Sequence, residues 1–201
     1  VLKKVFPKDY EKILHLASFK VIKGEPYYFY SFWCEESFVS KENILSSIDV
    51  SEFLLSIGQD ELNIEVFFKE WIKELNGSRA VMFDITSISS FGTRNEFLER
   101  GYNRDGEILD QVNLGLISQA SEQNYAGLPL AYRIYPGSIT DVTTLNNVTD
   151  LIKKYDLQLN VLVMDKGFYS QKNLQDMHSK GLKYVVPMSF STKLSKQILT
   201  K

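Results

Sequence analysis

Cysteine and histidine are nearly missing from this chain: Cys34 is the single cysteine, and His15 and His178 are the two histidines, in 201 residues. An internal disulfide is therefore impossible, no Cys/His spacing suits a structural zinc, and a reducing cytoplasm fits. No apolar run approaches the roughly 20 residues needed to span a bilayer, and the N-terminus lacks the basic, apolar and small-residue order of a signal peptide. No membrane partner is expected. The formal charge is −2, so no overall positive field advertises nucleic acid, and any such contact must come from local Lys/Arg patches. Glycine-rich phosphate loops of the Walker or dinucleotide kinds are absent. What is present is core-forming material: 44% of residues are hydrophobic and 13% aromatic, which excludes disordered and collagen-like classes. The length suits one domain, or one domain with a smaller companion.

From about Asp9 to Leu75 the pattern is mainly helical. Ile64, Phe67, Phe68, Trp71, Ile72 and Leu75 recur at i, i+3, i+4, i+7, i+8 and i+11, one apolar stripe on a 3.6-residue period. Asn63 is the expected N-cap and Asn76-Gly77 the stop. An earlier helix, Ser47 to Ile57, is expected to end at Gly58. These aromatics read as core packing. After Gly77 the texture changes to short β-rich runs at Ala80–Ile88, Gln111–Ser118, Leu130–Tyr135 and Asn160–Met164. Two domains follow: a helical region at 1–78 and a sheet domain at 79–201. Gly101 to Gly106 reads as a polar loop, and Pro136-Gly137-Ser138 closes the third strand. Thr140 or Asp141 can cap a helix running to about Tyr155, Ser170 another from Gln171 to Lys180, and a further strand covers Tyr184 to Pro187. After Asp176 the chain is locally basic, with five lysines and no acid.

The element order is β-β-β-α-β-α-β. The first three strands are joined by connections too short or too polar for a crossover helix. The helix that follows returns the chain to make the fourth strand parallel to its neighbour, through a right-handed crossover. The expected class is α/β, with a mixed sheet of three antiparallel strands, then parallel strands with helices.

Asp84 sits within Val81-Met82-Phe83-Asp84-Ile85-Thr86, where the neighbours suit a buried strand and the carboxylate does not. Burying an unpaired carboxylate costs several kcal/mol or forces its protonation, so the position calls for a partner, and a cation is one. Asp165 ends the apolar run Val161-Leu162-Val163-Met164, and carboxylates at strand ends of open α/β sheets lie where ligands usually bind. Taken singly, each could equally cap a helix or tighten a loop. The topology lets the first and fourth strands be neighbours, which sets the two aspartates side by side. Two carboxylates that close repel unless one is protonated or a divalent metal bridges them, and hard oxygen ligands suit Mg²⁺ or Mn²⁺. Such a pair suggests metal-assisted phosphoryl transfer. His15 and His178 read as surface or packing residues, and Cys34 as a small buried hydrophobe.

The stretch from Ala80 to Met188 resembles the DDE-type transposases of bacterial insertion sequences, whose catalytic domain is RNase H-like. The resemblance is carried by an ordered set. It begins with Phe83-Asp84-Ile85-Thr86-Ser87-Ile88, then Gly101-Tyr102-Asn103-Arg104-Asp105-Gly106 leading into Gln111-Val112-Asn113-Leu114-Gly115-Leu116. Gly127 to Ser138 (GLPLAYRIYPGS) follows with Asp141 after it, and Asp165-Lys166-Gly167-Phe168-Tyr169-Ser170 closes the set. The resemblance implies that Asp84 and Asp165 are catalytic and bind Mg²⁺ (or Mn²⁺) with a third acid, a glutamate on a later helix. No acidic residue follows Asp176, so the third ligand is expected beyond Lys201, and this chain alone is expected to be an inactive fragment. The implied reaction is hydrolysis at transposon ends, then attack of the freed 3′-hydroxyl on target DNA. The implied partner is double-stranded DNA, with a homodimer on DNA in the full-length protein and a nucleoid-associated, cytoplasmic location. Gly167 is expected to let the backbone turn sharply. Lys166, Tyr169, Arg104 and Arg133 are candidate DNA contacts, since affinity rests largely on phosphate contacts, and the N-terminal helices are expected to contribute despite their mixed charge.

Two rivals remain at this level. A truncated transposase could serve as a DNA- or partner-binding module. A two-aspartate, Mg²⁺-dependent phosphotransferase of the haloacid-dehalogenase kind would want a second aspartate where Thr86 stands and an all-parallel sheet.

Overall fold

The structure, a computed structural model, describes residues 1–37, 44–75, 79–93, 95–101, 108–120, 127–139, 141–188 and 195, the side chains of 79 and 141–146 excepted. The chain divides into two compact units, Val1–Glu74 and Leu75–Lys201.

The first unit is helical: α1 (Leu2–Val5), α2 (Tyr10–Lys23), α3 (Tyr30–Glu35), α4 (Ser47–Gln59) and α5 (Glu61–Glu74). Its core gathers Leu16, Phe19, Tyr30, Cys34 and Val50. The Phe19 ring meets Tyr30 edge-on at 5.7 Å and Trp33 at 5.5 Å, contacts worth more than their buried area alone. Cys34 is buried in this cluster, as expected of a small hydrophobe. α2 stops at Gly24, where φ of +67° is left-handed and the N–H bonds Lys20 O at 3.0 Å. α4 starts with a capping box in which the Ser46 hydroxyl accepts from Asp49 N–H while the Asp49 carboxylate accepts from Ser46 N–H. Two predicted boundaries move. Gly58 lies inside α4, and the break falls at Asp60, whose carboxylate accepts from the N–H (3.2 Å) and side-chain amide (2.7 Å) of Asn63. An aspartate one turn earlier thus outcompetes Asn63 as the cap. The Asn76-Gly77 stop lies outside the described residues.

The second unit carries β1 (Arg79–Ser90), β2 (Asp110–Gln119), β3 (Pro129–Pro136), α6 (Asp141–Lys154), β4 (Leu159–Met164), α7 (Gln171–Ser179) and β5 (Tyr184–Val185). The strand order is β3-β2-β1-β4-β5. β1, β2 and β3 pair antiparallel, while β4 runs parallel to β1 and β5 to β4. This is the mixed sheet the sequence predicts, three antiparallel strands and then parallel ones, and the antiparallel half excludes the all-parallel sheet of the phosphotransferase rival. β5 is shorter than the predicted Tyr184–Pro187, since Pro187 has no N–H for the ladder.

Period-2 alternation assigns the faces. Val81, Phe83, Ile85, Ile117, Tyr135, Leu162 and Met164 are buried on one side. Phe168 reaches Phe83 there (5.2 Å between rings), and Asn173 of α7 donates to Phe168 O at 2.9 Å. Gly115 makes this packing possible, because a Cβ there would stand 2.8 Å from the Tyr135 ring and 3.2 Å from the Phe83 ring. On the other side Met82, Asp84, Thr86 and Ile88 of β1, and Tyr132 and Ile134 of β3, are exposed, while Val112, Leu114 and Leu116 between them are half-buried.

Candidate active site

The parallel register of β1 on β4 ends with Phe83 opposite Met164. The next position on each strand is Asp84 and Asp165, and Asp165 keeps extended backbone (φ −80°, ψ 172°). Adjacent strands run about 4.8 Å apart, so the topology brings the two aspartates to neighbouring places at the sheet's centre, as the sequence predicts. Asp84 departs from the expectation of a buried carboxylate. Its carboxylate is not buried: the alternation that turns Val81, Phe83 and Ile85 inward turns Met82, Asp84 and Thr86 outward, and Asp84 is exposed. The cost of a buried charge therefore does not act on it.

Each carboxylate is partly committed. Asp84 Oδ1 accepts from Ile85 N–H at 2.9 Å, and Asp165 Oδ1 accepts from Gly167 N–H at 2.5 Å. Neither forms an ion pair with a described residue, and each has an oxygen left over. Asp165 thereby caps a single 3-10 turn, Lys166–Phe168. Gly167 lies within that turn and presents its N–H to the cap, with φ outside the left-handed region. The donor set, two hard carboxylates facing solvent, fits Mg²⁺ or Mn²⁺, which keep several waters and take only one or two protein carboxylates. Among the described residues no cluster of three His, Cys, Asp or Glu side chains forms.

Of the DNA-contact candidates, Lys166 is exposed and opens the 3-10 turn that follows Asp165, and Tyr169, half-buried, directly follows that turn. Arg133 stands apart from the pair. It lies opposite Gly115 in the β2–β3 register, on the sheet face away from Asp84, and its guanidinium sits over the Tyr135 ring at 5.7 Å. Arg104 lies outside the described residues.

A group that sequence reasoning missed ties β1 to the segment between β3 and α6. Buried Asn113 donates through Nδ2 to Ile139 O (2.9 Å) and Gly137 O (3.2 Å), and its Oδ1 accepts from Ser87 Oγ (2.9 Å). Gln111 Nε2 also donates to Gly137 O, at 3.1 Å. The join leaves no room for side chains: a Cβ on Gly137 would fall 2.1 Å from Gln111 O and 2.4 Å from Glu99 O. The only signal in the sequence was a glutamine and an asparagine at the inward positions of an otherwise alternating strand.

Comparison with known proteins gives three findings. The family described as Transposase DDE domain matches residues 75–201. Among curated proteins, none matches this chain. Among solved structures, the chain is similar to one described as Mos1 transposase paired-end complex with left transposon end, at 11% sequence identity and a TM-score of 0.37, covering 96% of this chain and 70% of that one.

Proposed function

Since this chain belongs to the transposase DDE-domain family, we propose that it acts on DNA phosphodiesters by nucleotidyl transfer, cleaving transposon ends and joining the freed 3′-hydroxyl to target DNA. The observation that carries the reading is the consecutive register of Asp84 and Asp165 on the paired central strands β1 and β4. Mg²⁺ or Mn²⁺ bound there would activate the attacking oxygen and neutralise charge on the leaving one. Asp84 and Asp165 would hold it through their uncommitted oxygens. Capping of the 3-10 turn restrains the Asp165 side chain in advance, so less side-chain freedom is lost there on binding. Lys166, on the turn itself, supplies positive charge for the phosphate, and Tyr169 a hydroxyl or a stacking face for a nearby base. A third carboxylate completes the set in the family this chain resembles.

Calorimetric titration with Mn²⁺ tests the site on the parent, Asp84→Asn and Asp165→Asn. Saturable binding is expected in the parent. Each substitution should weaken it by at least the roughly 10–100-fold that loss of even an outer-shell partner costs. Parent-like affinity in both variants would falsify the two-aspartate site.

A further inference from the structure

Asparagine suits caps and turns better than the buried side of a helix, because its amide competes with the backbone for hydrogen bonds. Asn173 is nonetheless only 7% exposed, in the first turn of α7 and one turn before buried Met177. Its own N–H bonds the Ser170 hydroxyl at 3.1 Å, as in an ordinary cap. Its side chain behaves less usually. At this third helical position a side chain commonly reaches back to the N–H of the capping residue. Asn173 reaches two residues further and donates through Nδ2 to Phe168 O at 2.9 Å. That carbonyl belongs to the last residue of the 3-10 turn, Lys166–Phe168, which Asp165 caps. The turn is thus held from three sides: Asp165 Oδ1 accepts from Gly167 N–H at 2.5 Å, the Phe168 ring packs on Phe83, the residue before Asp84, and Asn173 fixes the Phe168 carbonyl.

We propose that Asn173 is a positioning residue for the two-aspartate site: by fixing the Phe168 carbonyl it keeps Gly167 N–H aimed at Asp165 Oδ1, which leaves the second Asp165 oxygen set for a cation shared with Asp84. This role rests on the reading of Asp84 and Asp165 as a metal site. Peptide units are planar, so only the backbone dihedrals of Gly167 and Phe168 separate the fixed carbonyl from the N–H that holds Asp165. Glycine is the least restrained link a chain can have, and a turn built on one keeps its shape best when the shape is imposed from outside. Packing of the Phe168 ring anchors the side chain but leaves the carbonyl able to rotate. Asn173 removes that freedom. Only a donor can do so, since a carboxylate at this position would set its oxygens against the carbonyl oxygen. Partners one bond behind a metal ligand typically contribute roughly 10–100-fold to affinity. Asn173 acts through one further bond, so the low end, about tenfold, applies.

Calorimetric titration with Mn²⁺ tests this on the parent, Asn173→Ala, Asn173→Asp, Met177→Ala and Asp165→Asn, with hydrogen exchange of the Gly167 amide followed in the absence of metal. Asn173→Ala should bind Mn²⁺ about tenfold more weakly than the parent, and its Gly167 amide should exchange faster. Asn173→Asp, matched in volume but without a donor, should lose affinity as well, although the added negative charge alone would act the other way. Met177→Ala loosens the same helix one turn further on without touching the 3-10 turn, so it should keep both the affinity and the Gly167 protection of the parent. Circular dichroism checks that α7 persists in each variant. Undiminished affinity in either Asn173 variant, or an equal loss in Met177→Ala, overturns the positioning role and leaves the two-aspartate site standing. Parent-like affinity in Asp165→Asn overturns that site, and the role of Asn173 with it.

Discussion

Residues 1–74 hold nine lysines and no arginine against thirteen carboxylates, whereas residues 75–201 hold fourteen Lys and Arg against twelve. The helical unit is net acidic and the sheet unit net basic, so the sheet unit is where attraction to phosphate resides. The charge count gives little support to the expectation that the N-terminal helices add to DNA contacts. The two units also differ in what holds them together. One is centred on an aromatic cluster around Phe19, which tolerates shape change at an energetic cost. The other is pinned by backbone atoms at Gly137 and by the buried amides of Gln111 and Asn113, where nothing can give way.

Gly137→Ala breaks this contrast most severely. The added carbon meets two carbonyl oxygens rather than flexible side-chain ends, and a loss of about 5 kcal/mol or more is expected, enough to abolish the sheet unit. Hydrogen exchange of the β2 and β3 amides would read it; native-like protection in the variant would show that the junction is softer than its geometry implies. Phe19→Ala should come next, at about 3–5 kcal/mol for a buried aromatic. Both tryptophans, Trp33 and Trp71, lie in the helical unit, so their fluorescence in a urea titration reports this loss directly. Asn113→Leu should cost about 2 kcal/mol, because the carbonyls of Gly137 and Ile139 lose a buried donor; a neutral result would mean that another group already satisfies them.

The smallest effect is a pH dependence. The Ser46 hydroxyl and N–H hold the Asp49 carboxyl below its ordinary value, and the lysines at 4 and 73 do the same for Glu70. Carboxyls lowered in the folded state contribute stability that is present above their unfolded values and is lost as pH falls through the depressed ones. The fluorescence midpoint should therefore hold from neutrality to about pH 5 and slip below about pH 4, by an amount kept small by full solvent exposure. Ser46→Ala should flatten part of that slope.

Much of the sheet unit was legible because its signals are local. Strand periodicity, the polar breaks and the capping serine at 170, whose hydroxyl accepts from Asn173 N–H at 3.1 Å, all act within a few residues. The adjacency of Asp84 and Asp165 was legible too, since a crossover helix leaves few places for β4. Misreading arose where a pattern supported two interpretations. Val81 to Ile85 reads in sequence as a continuous buried run, yet the same five residues alternate, and covering on one face alone leaves Asp84 in water. The Asn113 junction was illegible for a different reason: its partners at Ser87, Gly137 and Ile139 lie 26, 24 and 26 positions away in sequence, and no local signal encodes them. At α4 and α5 two caps competed, and the carboxylate of Asp60 outdid the amide of Asn63 as the acceptor of backbone N–H.

The open face of the sheet has a consequence for handling the protein at the bench. Met82, Ile88, Tyr132, Ile134 and Val185 are each more than a third exposed on strands of one sheet, and a net charge of −2 gives molecules little reason to keep apart. Colloidal stability should therefore be poor near neutral pH at low salt and better where the net charge is larger. Loss of material to precipitation, rather than unfolding, is what would set the usable concentration.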